Sequence, residues 1–335
     1  MSQATETLVF IPEDISSARS GAFRADWQMR SLAGETMGTH WSAKFSSPEQ
    51  LDLQAIELSI TQNLDTVISQ MSPWETDSDL RRYQKAASGS WCAFRPEAFH
   101  VLERALSIAQ ETDGAYDPTF ATAVDLLGFG PSPHSGYSYA SPEVQQAFAQ
   151  AGYQKAALSA ETNSLFQPGN LRVDLCSIAK GFAVDLVCQR LRELGLENYL
   201  FEIGGEAKGL GCKPDGLPWL YEIEPPPNAK ASLSKAQVAL CGLAVATSGN
   251  YLRYEQRHGQ TVAHIVSPRC QDGDDKLLSV SIFHDSCMEA DAYATALFLL
   301  GAEAGLAFAD KRNLAALFQT ADDLLLSGRA RKLLG

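Results

Sequence analysis

The segment Met288–Leu300 reads Met-Glu-Ala-Asp-Ala-Tyr-Ala-Thr-Ala-Leu-Phe-Leu-Leu, an apolar, alanine-rich helix pattern with a carboxylate and a hydroxyl inside it. Asp291 and Thr295 are four residues apart, so their side chains share one helix face with Cβ atoms roughly 5–6 Å apart. Both oxygens can then reach one small cation, which makes the pair half of a candidate hard-metal site. The residues alone leave a second interpretation open, in which Asp291 caps the helix and Thr295 bonds back to a carbonyl of the preceding turn.

Helices and strands surround this segment in blocks. Helical spacing of apolar residues predicts helices over Ile56–Met71, after Pro96, and over Ser177–Leu194, Ala290–Leu300 and Glu303–Lys311. The predicted strands are Met37–Phe45, Leu171–Leu175, Tyr199–Ile203, Trp219–Glu224, Gln237–Ala246, Thr261–Val266, Leu277–Phe283 and Leu314–Gln319. Because strands and helices do not alternate strictly, the order favours an α+β protein over a doubly wound parallel sheet.

The first 34 residues are weakly patterned. Ser, Ala and Arg alternate there without a clear period, so we interpret 1–34 as an N-terminal arm and expect regular structure from near Gly34. Residues 35–335 then form the functional domain.

Composition and charge exclude several classes of protein. The chain has 335 residues, of which 45% are hydrophobic and 20% charged, as in ordinary globular proteins. A formal charge of −13 without a Lys/Arg run argues against nucleic-acid binding. An acidic protein can still bind a phosphorylated ligand, but it needs a metal ion, helix N-termini or a lysine at the contact.

Cysteine usage and hydropathy bear on the compartment. The seven cysteines form no C-x-x-C pair, so we interpret them as reduced, mostly buried thiols. No window approaches the roughly 20 apolar residues of a membrane span, and residues 1–34 lack a basic region followed by an apolar run. The chain as given is therefore expected to be cytoplasmic, or periplasmic or membrane-associated if an export signal was removed.

Five segments are too polar and too rich in glycine for plain scaffolding, and each lies at a junction between elements. In one of them a predicted strand leads into Ser177 and then into a helix with Lys180 in its first turn, where backbone N–H groups, the helix dipole and a lysine can hold a phosphate. An ordinary N-cap with a surface lysine is the alternative. The five segments are Glu35–Thr39, Asp113–Thr119, Asp174–Gly181, Ile203–Glu206 and Thr247–Tyr251.

In this order the segments resemble the ApbE-like family of FAD:protein FMN transferases, which move FMN from FAD to a Ser or Thr hydroxyl of a target protein and release AMP. The resemblance extends from about Met37 to about Phe318. It includes Met37-Gly38-Thr39, Met71-Ser72-Pro73-Trp74, Asp77-Ser78-Asp79-Leu80, Gly114-Ala115-Tyr116-Asp117-Pro118-Thr119, Gly128-Phe129-Gly130, the Asp174–Asp185 segment, Ile203-Gly204-Gly205-Glu206, Thr247-Ser248-Gly249-Asn250-Tyr251, His264-Ile265 and Asp291–Ala296.

The resemblance implies mixed and antiparallel sheets with flanking helices, in two interlocked lobes around a flavin cleft. It also implies that Asp291 and Thr295, with an oxygen from Ser177, hold Mg²⁺ against the pyrophosphate of FAD. The partner would be a target flavoprotein of an electron-transfer complex that carries an acceptor Ser or Thr. The implied cofactor-binding residues are Met37, Trp74, Ala115, Tyr116, Asp117, Lys180, Asp185 and Ile265.

His264 is the candidate general base for the acceptor hydroxyl, because a histidine of pKa near ~6.5 can take a proton at neutral pH. On its residues alone, without the resemblance, we would interpret it as a buried histidine that donates to a carbonyl at the end of a strand. Relatives usually read His-Ile-x-Asp-Pro-x-Thr-Gly, whereas this chain has Ser267 for the Asp and Cys270-Gln271 for the Thr-Gly. Two alternatives follow: a non-catalytic FAD-binding protein, and a Mg²⁺-dependent FAD pyrophosphatase that yields FMN and AMP.

Overall fold

The computed structural model describes residues 7–13, 26–131, 137–227, 229–230, 235–249, 254–257, 260–268 and 277–335. The chain divides into two compact units. The first comprises Met1–Leu64, Lys180–Gly249 and Asp274–Gly335, and the second comprises Asp65–Ala179 and Asn250–Gly273.

The described residues form sixteen strands and nine α-helices, which we number in chain order. The strands are β1 (Thr7–Phe10), β2 (Gln28–Thr36), β3 (Thr39–Ser47), β4 (Ser90–Ala93), β5 (Leu158–Ser159), β6 (Ser164–Gln167), β7 (Tyr199–Ile203), β8 (Glu206–Leu210), β9 (Leu220–Ile223), β10 (Lys235–Ala239), β11 (Ala244–Gly249), β12 (Tyr254–Arg257), β13 (Gln260–Ala263), β14 (Leu277–His284), β15 (Ala315–Thr320) and β16 (Leu324–Leu326). The helices are α1 (Leu53–Met71), α2 (Asp79–Gln84), α3 (Pro96–Glu111), α4 (Ala121–Leu126), α5 (Pro142–Gln150), α6 (Ala179–Glu193), α7 (Cys287–Leu300), α8 (Ala302–Arg312) and α9 (Gly328–Lys332).

An eight-stranded sheet dominates the first unit. Its order is β16-β15-β14-β11-β8-β7-β3-β2, and every neighbouring pair is antiparallel. A second sheet, β1-β10-β9, contains one parallel pair, β1 with β10. The second unit holds the antiparallel sheet β4-β6-β5 and the hairpin β12-β13. The predicted α+β class with mixed and antiparallel sheets is confirmed.

Helix α7 is apolar on all sides, and it is buried over Cys287–Phe298 except for Glu289. It packs on β8, β11 and β14. Strand β11 presents small side chains to α7. Ala244, Ala246 and Ser248 are two residues apart along the strand and so share one face of it, and Ser248 contacts α7 directly. Small residues let the helix approach the sheet closely, so α7 becomes the central helix of the first unit.

The other face of the large sheet carries the apolar core that the small sheet covers. Val245 of β11 and Phe283 of β14 pack there against Phe10 of β1 and Val238 of β10. Phe10 is fully buried, and its ring centroid lies 4.8 Å from that of Phe283. The N-terminal strand is therefore part of the core of this unit.

This placement corrects the expectation that regular structure starts near Gly34. Strand β1 and most of β2 lie within residues 1–34. Most residues of β1 and β2 are exposed or only partly buried, because both are edge strands of their sheets. The burial of β2 alternates, but its less exposed face carries Arg30 and Gly34 while Met29 and Ala33 lie on its exposed face, so the sequence pattern did not reveal this strand.

Two further strand predictions were wrong. The segment 171–175 buries Leu171, Val173 and Leu175 in alternation, but its only strand pairing is an isolated bridge from Arg172 to Phe120. Side chains form hydrogen bonds to its backbone groups instead. Oε1 of Gln167 accepts the Leu171 N–H, and Nε2 of Gln84 donates to the Val173 carbonyl. The single strand predicted over residues 237–246 is two strands, β10 and β11, in different sheets.

The remaining predicted helices and strands are present, the strand Tyr199–Ile203 with the predicted ends and the others with shifted ends. None of the described helices is long and apolar enough to cross a membrane. Asn250-Tyr251 and Cys270-Gln271, which the sequence singles out, lie outside the described residues.

Candidate functional site

Asp291 and Thr295 lie in the middle of α7, one turn apart and both buried. Oδ2 of Asp291 accepts a hydrogen bond of 3.0 Å from the Gly181 backbone N–H. The Thr295 hydroxyl is 2.9 Å from the Ser248 hydroxyl on β11. The side chain of Asp291 therefore does not cap α7, because Ser286 is the N-cap residue and accepts the Glu289 N–H. The structure thus removes the capping interpretation of Asp291 and leaves a buried carboxylate in the helix interior.

Helix α6 contacts Asp291 at Gly181. A Cβ atom at Gly181 would lie 2.3 Å from the Cys287 carbonyl oxygen and 2.8 Å from Cβ of Asp291. Only a residue without a side chain allows α6 and α7 to approach this closely. The close approach brings the Gly181 N–H to the carboxylate.

A partly buried ion pair lies beside this contact. Nζ of Lys180 is 2.7 Å from each carboxylate oxygen of Glu206, whose side chain is almost fully buried at the start of β8. Burial raises the pKa of Glu206, and the neighbouring Lys180 lowers it only in part. Lys180 thus forms an ion pair with Glu206, whereas the Asp291 carboxylate accepts a hydrogen bond from a backbone N–H.

The charges of the three neighbouring side chains Asp291, Glu206 and Lys180 do not balance. Asp291 and Glu206 carry two negative charges when ionised, and Lys180 supplies one positive charge. Burial and the Glu206 charge raise the pKa of Asp291 to about 7, against opposing contributions from Lys180 and the Gly181 N–H. A buried carboxylate without a counter-charge is costly, and a bound cation would offset that cost.

Asp291 and Thr295 therefore fit a hard cation by charge and by ligand type. Mg²⁺ prefers oxygen ligands and usually takes one or two carboxylates from the protein, with water and phosphate oxygens completing its shell. No cluster of three or more His, Cys, Asp or Glu side chains suited to a metal occurs among the described residues. A site with a single carboxylate plus hydroxyls is compatible with that absence. Ser177, the third predicted ligand, belongs to the second unit and lies in the turn before α6.

The β2-β3 hairpin presents Met37 in a strained conformation. Thr36 pairs with Thr39, so Met37 and Gly38 form a two-residue turn with φ of 48° and 71°. Positive φ at both positions defines a type I′ turn, which normally takes Asn or Gly at the first position. A methionine there costs backbone energy, and such strain often marks a functional position.

The tip of the neighbouring hairpin lies against this turn. The Gly204 N–H, between β7 and β8, donates to the His40 carbonyl at 3.1 Å. Glu206 follows two residues later. The Met37 turn and the Glu206 ion pair are thus held at the same end of the large sheet.

Asp185, predicted near the cofactor, has its carboxylate in contact with protein groups. Oδ1 is 2.6 Å from Nζ of Lys208, and Oδ2 accepts bonds from the Ser286 hydroxyl at 2.7 Å and the Met288 N–H at 3.0 Å. These three partners come from β8 and from the start of α7. A direct cofactor contact by Asp185 stays a prediction.

In the second unit, the turn 113–119 is organised around Asp117. Its Oδ1 accepts both the backbone N–H and the hydroxyl of Thr119, and its Oδ2 accepts the Tyr153 N–H at 2.8 Å. Burial raises the pKa of this carboxyl, while those hydrogen bonds lower it. Ala115 and Tyr116 are buried beside it. The carboxylate fixes the turn, and the predicted contacts of these three residues with FAD stay predictions.

The other predicted residues of the second unit differ in exposure. Trp74 is 55% exposed, so its indole face is available for stacking. His264 follows β13 directly and is partly buried, whereas Ile265 and Ser267 are buried. The Ser267 side chain, in place of the usual aspartate, is thus enclosed by protein three residues from the candidate base.

Two further motif segments have structural explanations. Asp79 is buried and receives a two-pronged ion pair from Arg95, with Nη2 2.7 Å from Oδ1. Asp125 pairs with Arg172 at 2.5 Å, and a Cβ at Gly130 would lie 1.7 Å from Oδ1 of Asp125. These acidic residues hold the second unit together.

The sequence did not single out Lys208 or Ser286 as functional, and it gave Ser248 only as part of the segment Thr247–Tyr251. Lys208 had a usable signal, because it follows Glu206 by two residues and so lies on the same face of a strand. Ser286 gave none, and the specific role of Ser248 could not be predicted, since both depend on contacts with distant segments.

Comparison with known proteins identifies relatives over most of the chain. A sequence profile of the ApbE family matches residues 37–318. An FAD:protein FMN transferase of Vibrio cholerae is 34% identical over 285 residues, which cover 84% of this chain and 85% of the relative. One from Haemophilus influenzae is 32% identical over 302 residues, covering 88% and 87%.

Solved structures show the same fold. The flavin transferase ApbE from Vibrio cholerae superposes with a TM-score of 0.81 at 30% identity, over 92% of this chain and 100% of that one. The apo form of the Pseudomonas stutzeri flavinyl transferase ApbE gives a TM-score of 0.83 at 30% identity, over 92% and 98%.

Proposed function

Because this chain belongs to the ApbE family, we propose that it is an FAD:protein FMN transferase, which moves FMN from FAD to a Ser or Thr hydroxyl of a target flavoprotein. The match over residues 37–318 supports the activity. One structural observation supports the chemistry: Asp291 is buried with excess negative charge around it. That environment suits a reaction in which a cation must meet a pyrophosphate.

The reaction is a phosphoryl transfer. The acceptor oxygen bonds to the phosphorus of the FMN half of FAD, the bond from that phosphorus to the bridging oxygen breaks, and AMP leaves with the bridging oxygen. The product is a phosphoester between FMN and the acceptor, and the hydroxyl proton is released. Catalysis of this kind depends on positioning and charge neutralisation.

Asp291, Thr295 and Ser177 would hold the Mg²⁺ ion. Mg²⁺ supplies neutralisation of the pyrophosphate charge when it is bound. In the first unit, Gly181 orients the Asp291 carboxylate and Ser248 orients the Thr295 hydroxyl. These contacts pre-set two oxygens before any ligand arrives.

His264 is the residue we assign to the hydroxyl proton. Its ring can take a proton near neutral pH, and such assistance is worth roughly 10²–10⁴-fold. The Asp117 turn, with Ala115 and Tyr116, and the exposed Trp74 are assigned to FAD binding in the second unit. Met37, Lys180 and Ile265 complete the proposed cofactor contacts.

The test is co-expression with a flavin-acceptor domain that carries a Ser or Thr acceptor. The readouts are in-gel flavin fluorescence of the denatured acceptor and AMP release from FAD, each with and without Mg²⁺. The Asp291→Ala variant and an acceptor with its hydroxyl residue changed to Ala should both give an unlabelled band. Glu303→Gln, an exposed carboxylate on the next helix, is the matched control and should label normally.

Other outcomes would contradict the proposal in different ways. AMP release without a labelled acceptor would indicate a Mg²⁺-dependent FAD pyrophosphatase. Tight FAD binding with neither product would indicate a flavin-binding protein, and the change to Ser267 would then be the first position to revert.

A further inference from the structure

Resting on the proposed function, we infer that Asp185, together with Lys208, is a positioning residue for helix α7 and hence for Asp291 and Thr295. On this inference Asp185 does not touch the flavin nucleotide. Its role is to fix where the metal-binding helix begins.

The contacts of the carboxylate support this role. Oδ1 pairs with Nζ of Lys208 at 2.6 Å, and Oδ2 receives the Ser286 hydroxyl at 2.7 Å and the Met288 N–H at 3.0 Å. The side chains of Asp185 and Lys208 are each about one-fifth exposed. Both carboxylate oxygens thus have protein partners, and those of Oδ2 come from the first turn of α7 and its N-cap.

The start of a helix is where a carboxylate has most effect. The first N–H groups of a helix have no partner within it, and the helix dipole favours a negative charge there. The Ser286 hydroxyl accepts the Glu289 N–H, and Asp185 accepts the Met288 N–H from outside the helix. Asp185 also holds the capping hydroxyl itself, so the cap and the helix N-terminus depend on one side chain.

A second contact connects the same two helices. Asp185 and Gly181 are four residues apart on α6 and so lie on one face of it. Asp185 holds the start of α7, and the Gly181 N–H holds Asp291 one turn further along. With both points fixed, the Asp291 carboxylate and the Thr295 hydroxyl cannot shift along or around the axis of α7.

Lys208 fixes the other end of this arrangement. It lies on β8 two residues after Glu206, so α6 makes two ion pairs to the same strand: Lys180 with Glu206, and Asp185 with Lys208. The ion pair with Lys208 holds Oδ1 of Asp185 towards the sheet, while Oδ2 accepts the hydrogen bonds from Ser286 and Met288. Loss of Lys208 should therefore weaken the same property as loss of Asp185, by a smaller factor.

The experiment compares Asp185→Ala, the milder Lys208→Met, and the control Glu193→Gln. Glu193 is an exposed carboxylate on the same helix, paired with Arg190. The first readout is the Mg²⁺ concentration for half-maximal AMP release at saturating FAD and acceptor domain. The second is the affinity for FAD without metal, measured by flavin fluorescence. The third is the Mg²⁺-induced rise in melting temperature, which needs no turnover.

We expect Asp185→Ala to raise the half-saturating Mg²⁺ concentration by roughly 10–100-fold, the usual effect of losing a group that orients metal ligands. FAD affinity without metal should stay within about twofold, and the Mg²⁺-induced melting shift should shrink. Lys208→Met should move the same two metal readouts in the same direction, so the inference is testable even if Asp185→Ala does not fold. Glu193→Gln should match the wild type.

The inference is wrong if Asp185→Ala lowers FAD affinity tenfold while the Mg²⁺ requirement is unchanged, because Asp185 would then contact the cofactor. It is also wrong if only the melting temperature falls. If the wild type binds Mg²⁺ but transfers no FMN, and the variants weaken that binding, the positioning role stands and the transferase proposal fails.

Discussion

The backbone N–H of Gly181 donates to Oδ2 of Asp291 at 3.0 Å, across a helix contact that has no room for a Cβ atom. One glycine therefore serves two purposes: it permits the approach of α6 to α7, and it orients the carboxylate assigned to the metal. The geometry makes the stability of the first unit and its metal affinity depend on the same position.

Gly181→Ala should lower both stability and Mg²⁺ affinity. The added methyl would lie 2.3 Å from a backbone oxygen of Cys287, so the two helices must separate. Overpacking of this kind typically costs about 1–3 kcal/mol. Urea unfolding should show that loss, and Mg²⁺ titration of AMP release should show a raised requirement. Gln189→Ala, an exposed change on the same helix, should alter neither; equal behaviour of the two variants would contradict the close contact.

The pH dependence of the metal-free protein should identify Asp291. Its folded pKa of about 7 is above the ordinary value of 3.8, so between these values the folded state binds more protons than the unfolded state. Stability should therefore fall as pH rises from about 4 to about 7 and then level off, with a contribution of at most about 1.4 kcal/mol per pH unit.

The check is urea unfolding without Mg²⁺ across this range, for the wild type and Asp291→Asn. The asparagine variant should lose this part of the decline, while a contribution from Glu206 remains in both proteins. Mg²⁺ needs the carboxylate, so the stabilisation that it provides should grow as pH rises towards 8. A Mg²⁺ effect that is the same at pH 6 and pH 8 would contradict the raised pKa.

Met37→Gly should separate strain from function. Glycine accepts the φ of 48° at no steric cost but gains freedom in the unfolded chain, so stability should change by less than about 1 kcal/mol. If the methionine side chain covers the flavin, FAD affinity should fall in both Met37→Gly and Met37→Ala. Flavin fluorescence titration measures that affinity. Unchanged FAD binding in both variants would mean that the turn, and not the side chain, is what the site needs.

The sequence predicted the parts of the fold that local pattern determines. The long amphipathic helix ending at Met71 was predictable because its buried residues recur at the helical period. The strand 199–203 was predictable because it is a short, mostly apolar run that ends at Gly204-Gly205. The strand predicted around Val173 was wrong because its apolar alternation is real but its backbone groups bond mainly to side chains and make only one isolated bridge. Nothing in a local window distinguishes those two situations.

The candidate site was also predictable from the sequence only where residue spacing determines it. Asp291 and Thr295 could be paired from their spacing alone, and the excess charge near them could not, because it depends on Glu206 from another segment. Asp185 was placed near the cofactor by resemblance, whereas its partners Ser286 and Met288 lie about 100 residues away in the chain. Contacts of that range carry no sequence period.

The N-terminal strand should be essential to the first unit even though it lies outside the matched residues 37–318. Phe10 is fully buried against Phe283, the Ile11 N–H donates to the Leu333 carbonyl, and the Gly335 N–H donates to the Val9 carbonyl. Phe10→Ala should therefore cost about 3–5 kcal/mol, the usual penalty for emptying a buried aromatic position. Ile11→Ala, at the neighbouring half-exposed position, should cost much less. Urea unfolding measures both, and a Phe10 penalty as small as that of Ile11 would show that the core does not depend on β1.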